Sequence, residues 1–194
     1  MIPFYPLRPK NGGGLLIENV RASHDYECKF NGWRSVANCK TREMFNRQGE
    51  KLSIAAEFKD ALDVLGSLGI TWADVEALER RHNVGRGTLI LLDLPDYREL
   101  PYEARHKLIK SFGLKPAGPS DKIEDKQVYY SPAVSGTDPQ AVMKLWNDLK
   151  EVNQRLGANF YEGVVSKKRD SLYVWQNRGP EVDFPFWMKH RWPF

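Results

Sequence analysis

The chain has 194 residues, 41% hydrophobic and 28% charged, with 29 Lys and Arg against 25 Asp and Glu for a formal net charge of +4. That length suits one domain with a buried core, and no apolar run is long enough to span a bilayer. Two cysteines and four scattered histidines exclude a disulfide framework and a four-ligand structural zinc site, while a charge of +4 permits a polyanionic partner without arguing for one.

The opening "MIPFYPLRPKNGGG" places prolines and a lysine where a signal peptide needs a continuous apolar segment, so a cytoplasmic protein is expected. Asn11 to Gly14 reads as a flexible loop before a first strand "GLLIENV". "ECKFNGWRSVAN" follows as a hairpin-like pair turning at Asn31-Gly32. "SIAAEFKDALDVLGSLG" spaces Ala55, Phe58, Leu62 and Leu65 as a helix, and "ADVEALERRH" also has helical character. The short apolar run "GTLILLDLP", stopped by Pro95, predicts a buried strand. Pro101 opens and Gly113 closes a helix in "PYEARHKLIKSFG".

The clearest helix is "DPQAVMKLWNDLKEVNQRLG": Asp138 caps it, Pro139 sits in its first turn, Gly157 ends it, and Val142, Leu145, Leu149, Val152 and Leu156 form a core-facing stripe. "NFYEGVVS" and "SLYVWQN" predict two more strands, and the chain stops at "FWMKHRWPF". The expectation is a single α+β domain over residues 1–194 with its strands at both ends of the sequence.

Lys29 stands beside a turn-forming Asn-Gly, where a solvated hairpin lysine and a nucleophile look alike. Order and company distinguish them: Glu27-x-Lys29-x-Asn31-Gly32-x-Arg34, then "FNRQG", "WADVEAL", "YEGVVSKK" and "FWMKHR". In these motifs, from about Pro6 to Trp192, the sequence resembles the nucleotidyltransferase domain of the ATP-dependent polynucleotide ligases, a superfamily shared with RNA ligases and messenger-RNA capping enzymes. The resemblance implies an ATP-grasp-like domain of antiparallel sheets flanked by helices, with ATP and Mg²⁺ as cofactors. It makes Lys29 the nucleophile that becomes a lysyl-AMP phosphoramidate. It puts Glu27 at the adenine amino group and Arg34 at the ribose and phosphates. Arg47 and Gly49 match the next motif, whose arginine holds ribose and the nucleic-acid end. It sets Glu76 near ribose and metal, Glu162 at the metal, Val165 on the base and Lys167 at phosphate. Lys189 and Arg191 match the basic pair that grips the α-phosphate.

The chemistry requires these residue types together. A free lysine, with a pKa of about 10.4, is only about a thousandth neutral near pH 7.4, and neighbouring positive charge favours the attacking amine. The same cations neutralise α-phosphate oxygens during in-line displacement, and Glu162 and Glu76 are hard oxygen ligands suited to a largely hydrated Mg²⁺. Other readings stand beside these. Glu76 also fits a solvated helix charge, Lys167 an exposed basic patch in "KKR", and Trp33 and Trp187 either core or base stacking. Strand alternation turns Cys28 and His190 away from the functional face, and an acid inside the apolar "YEGVV" reads as facing a cleft.

Two positions and the C-terminal end depart from the family pattern. Asn31 replaces a common aspartate, and Leu92 occupies the position of an aromatic that stacks on adenine. The chain also stops three residues after Arg191, where family ligases continue into an OB-fold domain. A minimal ligase, a catalytic domain clamped by a partner protein or domain, and a piece of a longer protein all fit that last departure. The expected function is ATP-dependent ligation of nicked or broken nucleic acid, with DNA favoured and RNA possible, in a bacterial or phage-infected cell. RNA ligation, capping and a non-catalytic nucleotide- or nucleic-acid-binding module are the alternatives.

Overall fold

Runs rich in Val, Ile, Phe and Tyr recur through the whole chain, and the computed structural model, which describes residues 4–78, 84–175 and 182–192, gathers them into two sheets. In chain order the first six strands are β1 (Arg8–Asn11), β2 (His24–Phe30), β3 (Trp33–Asn38), β4 (Glu43–Phe45), β5 (Trp72–Leu78) and β6 (Thr88–Asp93). After them come β7 (Lys115–Pro116), β8 (Val128–Tyr130), β9 (Ala133–Ser135), β10 (Tyr161–Lys168) and β11 (Asp183–Arg191). One sheet has the order β1-β11-β10-β2-β9 and the other β4-β3-β5-β6-β8-β7. The pairings are mostly antiparallel, with parallel pairs at β1–β11, β6–β8 and β7–β8. The α+β class therefore stands, as mixed sheets.

Three helices cover this frame: α1 (Lys59–Ser67), entered through a 3-10 segment at Ser53–Phe58, α2 (Tyr102–Ser111) and α3 (Pro139–Leu156). The cap on α3 is real, with Asp138 accepting from the Ala141 amide at 3.0 Å, and Gly157 leaves the helix at φ +60°. The α3 stripe of Val142, Leu145, Leu149 and Val152 packs on Tyr26, Cys28 and Val164 of the first sheet. The α1 residues Ala61, Leu62 and Leu65 pack on Ala73, Val75 and Ala77 of the second. Among the described residues no helix is long and apolar enough to cross a membrane.

Several expectations change. The first strand is Arg8–Asn11, and the apolar "GLLIENV" instead carries a 3-10 turn at Ile17–Asn19 with Leu16 and Ile17 exposed. Asn31-Gly32 is not a hairpin turn: β2 and β3 belong to different sheets, and the chain crosses between them there. Gly32 is required by close approach, because a Cβ would lie 2.6 Å from the Ala77 carbonyl oxygen. "WADVEAL" is the strand β5 and not a helix, since its alternate residues feed two different faces; Glu79 to His82 of that prediction lie outside the described residues. In "SLYVWQN" only Leu172 makes a bridge, to Pro101, and Gln176 and Asn177 lie outside the described residues. Strands consequently run through the middle of the sequence as well as its ends.

One irregularity, in β10, shapes the space between the sheets. Glu162 and Val165 are three residues apart, so strict alternation would turn them to opposite faces of β10. The register breaks between Tyr161, opposite Phe30, and Gly163, opposite Lys29, and this bulge brings both side chains to the face that carries Lys29. Gly163 makes it possible. It sits at φ +142°, and a Cβ there would lie within bonding range of the His190 carbonyl oxygen.

On the other sheet, fully buried Arg105 of α2 holds Asp93 of β6 through two hydrogen bonds of 2.6 and 3.0 Å and also donates to the carbonyls of Leu100 and Ser171. Arg105→Met should lower the unfolding free energy in urea by about 3–5 kcal/mol, and adding Asp93→Asn should restore part of it, because the main cost is the orphaned buried carboxylate. Gly163→Ala should cost about 3 kcal/mol or more in the same assay, through strain and the clash with β11.

Candidate active site

Alternation on three neighbouring strands of the first sheet writes two rows of side chains across one face. Lys29, Gly163 and Arg191 lie in one row, and Glu27, Val165 and Lys189 in the next. Lys167 lies a further step along, opposite Asp25 and Trp187. The second sheet supplies Arg34 of β3 opposite Glu76 of β5, with Leu92 on β6 beyond them. Between the sheets is a cavity of about 310 Å³, and its lining includes Glu27, Lys29, Arg34, Arg47, Glu76, Leu92, Glu162, Val165, Lys167, Lys189 and Arg191 from the motifs, but not Gly49. That volume is at the lower end of the range for small-ligand pockets.

At one end, Lys29 Nζ is 2.5 Å from Glu162 Oε2, and Arg191 approaches the same oxygen at 3.0 Å. Their side chains are 17%, 16% and 40% exposed, so the group is open to a ligand. Burial, with Arg191, Arg8 and Lys29 nearby, pushes the Lys189 pKa below its usual value. Arg47 is exposed at the tip of a turn in which Asn46 accepts from the amides of Gln48 and Glu50, and Gly49 takes φ +79°. Here the glycine of "NRQG" serves the left-handed backbone.

Arg34 is held by Asp74, with contacts of 3.0 and 2.6 Å, and donates to the Leu7 carbonyl. Burial opposes its charge, but Asp74 outweighs that and raises the guanidinium pKa. Tyr173 donates to the same carboxylate at 2.9 Å. Glu76 accepts from the Gly32 amide at 2.9 Å; burial pushes its pKa up to about 7 against the pull of Lys29 and Arg34. It is neither helical nor solvated.

Lys167, expected at phosphate or on an exposed patch, is buried. Its ammonium lies 2.9 Å from Glu27 Oε1 and donates to the Leu92 carbonyl at 2.8 Å, above the Trp187 ring. Trp187 is buried and Trp33 exposed, whereas Cys28 and His190 are buried on the far face as alternation requires. Among the described residues no three His, Cys, Asp or Glu side chains gather to hold a metal by themselves.

Sequence reasoning missed Asp74, Tyr102 and the lining residue Arg8. Asp74 was within reach: "ADVEAL" read as a strand puts it on the face of Glu76. Tyr102, which donates to Glu27 across 75 positions, carries no local signal.

No protein-family model and no curated protein sequence matches the chain. Among solved structures it is similar to the ligase domain from M. tuberculosis LigD, at 15% identity and a TM-score of 0.64 over 97% of this chain and 59% of that one. A mycobacterial DNA ligase D complexed with ATP and MES matches at 16% identity and a TM-score of 0.60, over 97% and 60% of the two chains. A Chlorella virus DNA ligase-adenylate matches at 15% and 0.61, over 96% and 69%. The chain thus spans less than two thirds of the mycobacterial chains it resembles. Two mixed sheets closing on one cleft, matched along nearly the whole chain, give this protein the fold of the nucleotidyltransferase domain of ATP-dependent DNA ligases.

Proposed function

We propose that this protein is an ATP-dependent polynucleotide ligase, with DNA favoured as substrate, and that Lys29 is its nucleophile. The carrying observation is the placement of Lys29, Lys189, Arg191 and Glu162 at one end of a cavity whose other end offers a buried carboxylate and apolar side chains for a base. In the first step the Lys29 amine forms an N–P bond to the α-phosphorus of ATP as the bond to pyrophosphate breaks, and the lysine loses a proton. AMP then passes to a 5′-phosphate, and a 3′-hydroxyl displaces it to seal the strand.

Each residue has a task in that sequence. Glu162 orients the lysine through the 2.5 Å contact. Lys189 and Arg191 take up charge on the α-phosphate oxygens, which costs little reorganisation because the cations are already placed. Arg34, braced by Asp74, meets ribose, Arg47 reaches the nucleic-acid end, and Val165 and Leu92 pack on adenine. Glu162 and Glu76 suit Mg²⁺, which binds through one or two carboxylates, waters and substrate phosphates and not in an all-protein cage. Bound there, it would supply further charge neutralisation at the phosphates.

Intact mass after incubation with ATP and Mg²⁺ should rise by one AMP, about 329 Da, in the native protein and not in Lys29→Ala. Labelling from GTP in place of ATP would point to capping chemistry. No adduct, together with failure to seal pre-adenylated nicked DNA or RNA, would sink the ligase reading in favour of a binding module. Lys189→Ala and Arg191→Ala should each slow AMP uptake by about 10²–10³-fold, the usual effect of removing one pre-placed charge-stabilising donor, as read by quenched time courses of the same adduct.

A further inference from the structure

Behind the first sheet, Asn153 of α3 uses its side-chain amide as a piece of strand. Its Nδ2 donates to the Tyr161 carbonyl at 2.7 Å, and its Oδ1 accepts from the Tyr161 amide at 2.9 Å. A carboxamide carries the same donor and acceptor as a peptide group, so the pair replaces one rung of a ladder. That rung is needed because β11 pairs with β10 only from Gly163 onward, opposite Arg191. Tyr161 is fully buried, and its backbone groups require partners that β11 does not reach. The residues just before it are held from the other side. Asn31, two places beyond Lys29, donates its backbone amide to the Phe160 carbonyl at 2.9 Å and its side-chain Nδ2 to the Asn159 carbonyl at 2.8 Å.

Three successive residues, Asn159, Phe160 and Tyr161, are therefore fixed through their backbones immediately ahead of the bulge that aims Glu162. A bulge is where a strand can change register, and a slip of one residue turns a side chain to the opposite face. For Glu162 that means leaving the contact with Lys29 at 2.5 Å and with Arg191 at 3.0 Å. The same helix also grips the far partner: Trp146 packs on Trp192, the residue after Arg191, with ring centroids 4.8 Å apart. The start of β10 and the end of β11, which meet at Glu162, thus both rest on α3.

We infer that Asn153 is a positioning residue for Glu162: its amide holds the start of β10 in the register that keeps the Glu162 carboxylate against Lys29 and Arg191. The inference rests on the reading of Lys29 as the group that takes up AMP.

The test has two readouts. The first is hydrogen exchange of the Tyr161 amide, which Asn153→Leu should speed by about tenfold or more while the Val75 amide of the other sheet keeps its native rate. Asn153→Asp retains the acceptor for that amide and loses only the donor, so it should speed exchange less, and it carries the test if Asn153→Leu fails to fold. The second is single-turnover AMP uptake from ATP and Mg²⁺. Asn153→Leu should lower the maximal rate by about 10–10²-fold and leave the half-saturating ATP concentration within about twofold of native, as expected when reacting groups are displaced by about 1 Å without loss of binding contacts. In a Glu162→Ala background the same change should slow uptake by less than about twofold, because the group it positions is gone. If the two effects multiply, if Asn153→Leu lowers only the melting temperature, or if Tyr161 exchange stays native, Asn153 serves packing and the inference alone is overturned. A native protein that takes up no AMP overturns the ligase reading and the inference with it.

Discussion

Charge buried between two sheets is tolerated only where each ion has a partner within hydrogen-bond reach, and this cleft is built on that constraint. Lys167 sits on Glu27, Arg34 on Asp74, Arg105 on Asp93, and Lys29 and Arg191 share Glu162. Lys167–Glu27 and Arg34–Asp74 join residues far apart in sequence, and Arg34–Asp74 ties a cavity-lining side chain to one behind the wall. The pairs thus do two things at once. They neutralise the inter-sheet face so that the sheets can close, and they fix side-chain directions around the cavity.

The pairs differ in exposure, and the difference follows their place. Arg105 and Asp93 are sealed off completely and serve the frame, while Lys29, Glu162 and Arg191 keep contact with solvent. The partly exposed group is the one that can exchange partners at low cost, since its ions regain hydration when the pairing changes. The sealed pairs cannot be rearranged without leaving a charge unpartnered away from water.

Backbone irregularity does the rest. A strand free of bulges would present Glu162 or Val165 to the cavity, but not both, and the bulge at Gly163 resolves this by shifting the alternation by one residue. Gly32 lets β2 continue into β3 of the opposite sheet beneath Ala77. These two glycines of the motifs are steric conditions for bringing lysine and glutamate together, and they contribute no chemistry of their own.

Local pattern was enough for the parts whose physics is local. The cap, stripe and terminator of α3, the buried strand β6, the alternation that turns Cys28 away from Lys29, and the motif order that groups Lys29, Glu162, Lys189 and Arg191 can all be read along the chain. It misled where neighbours override propensity: "WADVEAL" looks helical until β3 and β6 flank it, and Asn31-Gly32 looks like a hairpin until its two strands enter different sheets. The position of Lys167 shows the limit most clearly. As part of "SKKR" it is indistinguishable from a solvated cation, and only the arrival of Glu27 from β2, 140 positions away along the chain, together with Tyr102 from α2, gives its charge a buried partner and its side chain a direction. The sequence by itself determined which residues line the cavity; which of them meet, and at which end, was decided by tertiary structure, because pairing energy in a low-dielectric cleft depends on distance in space and not along the chain.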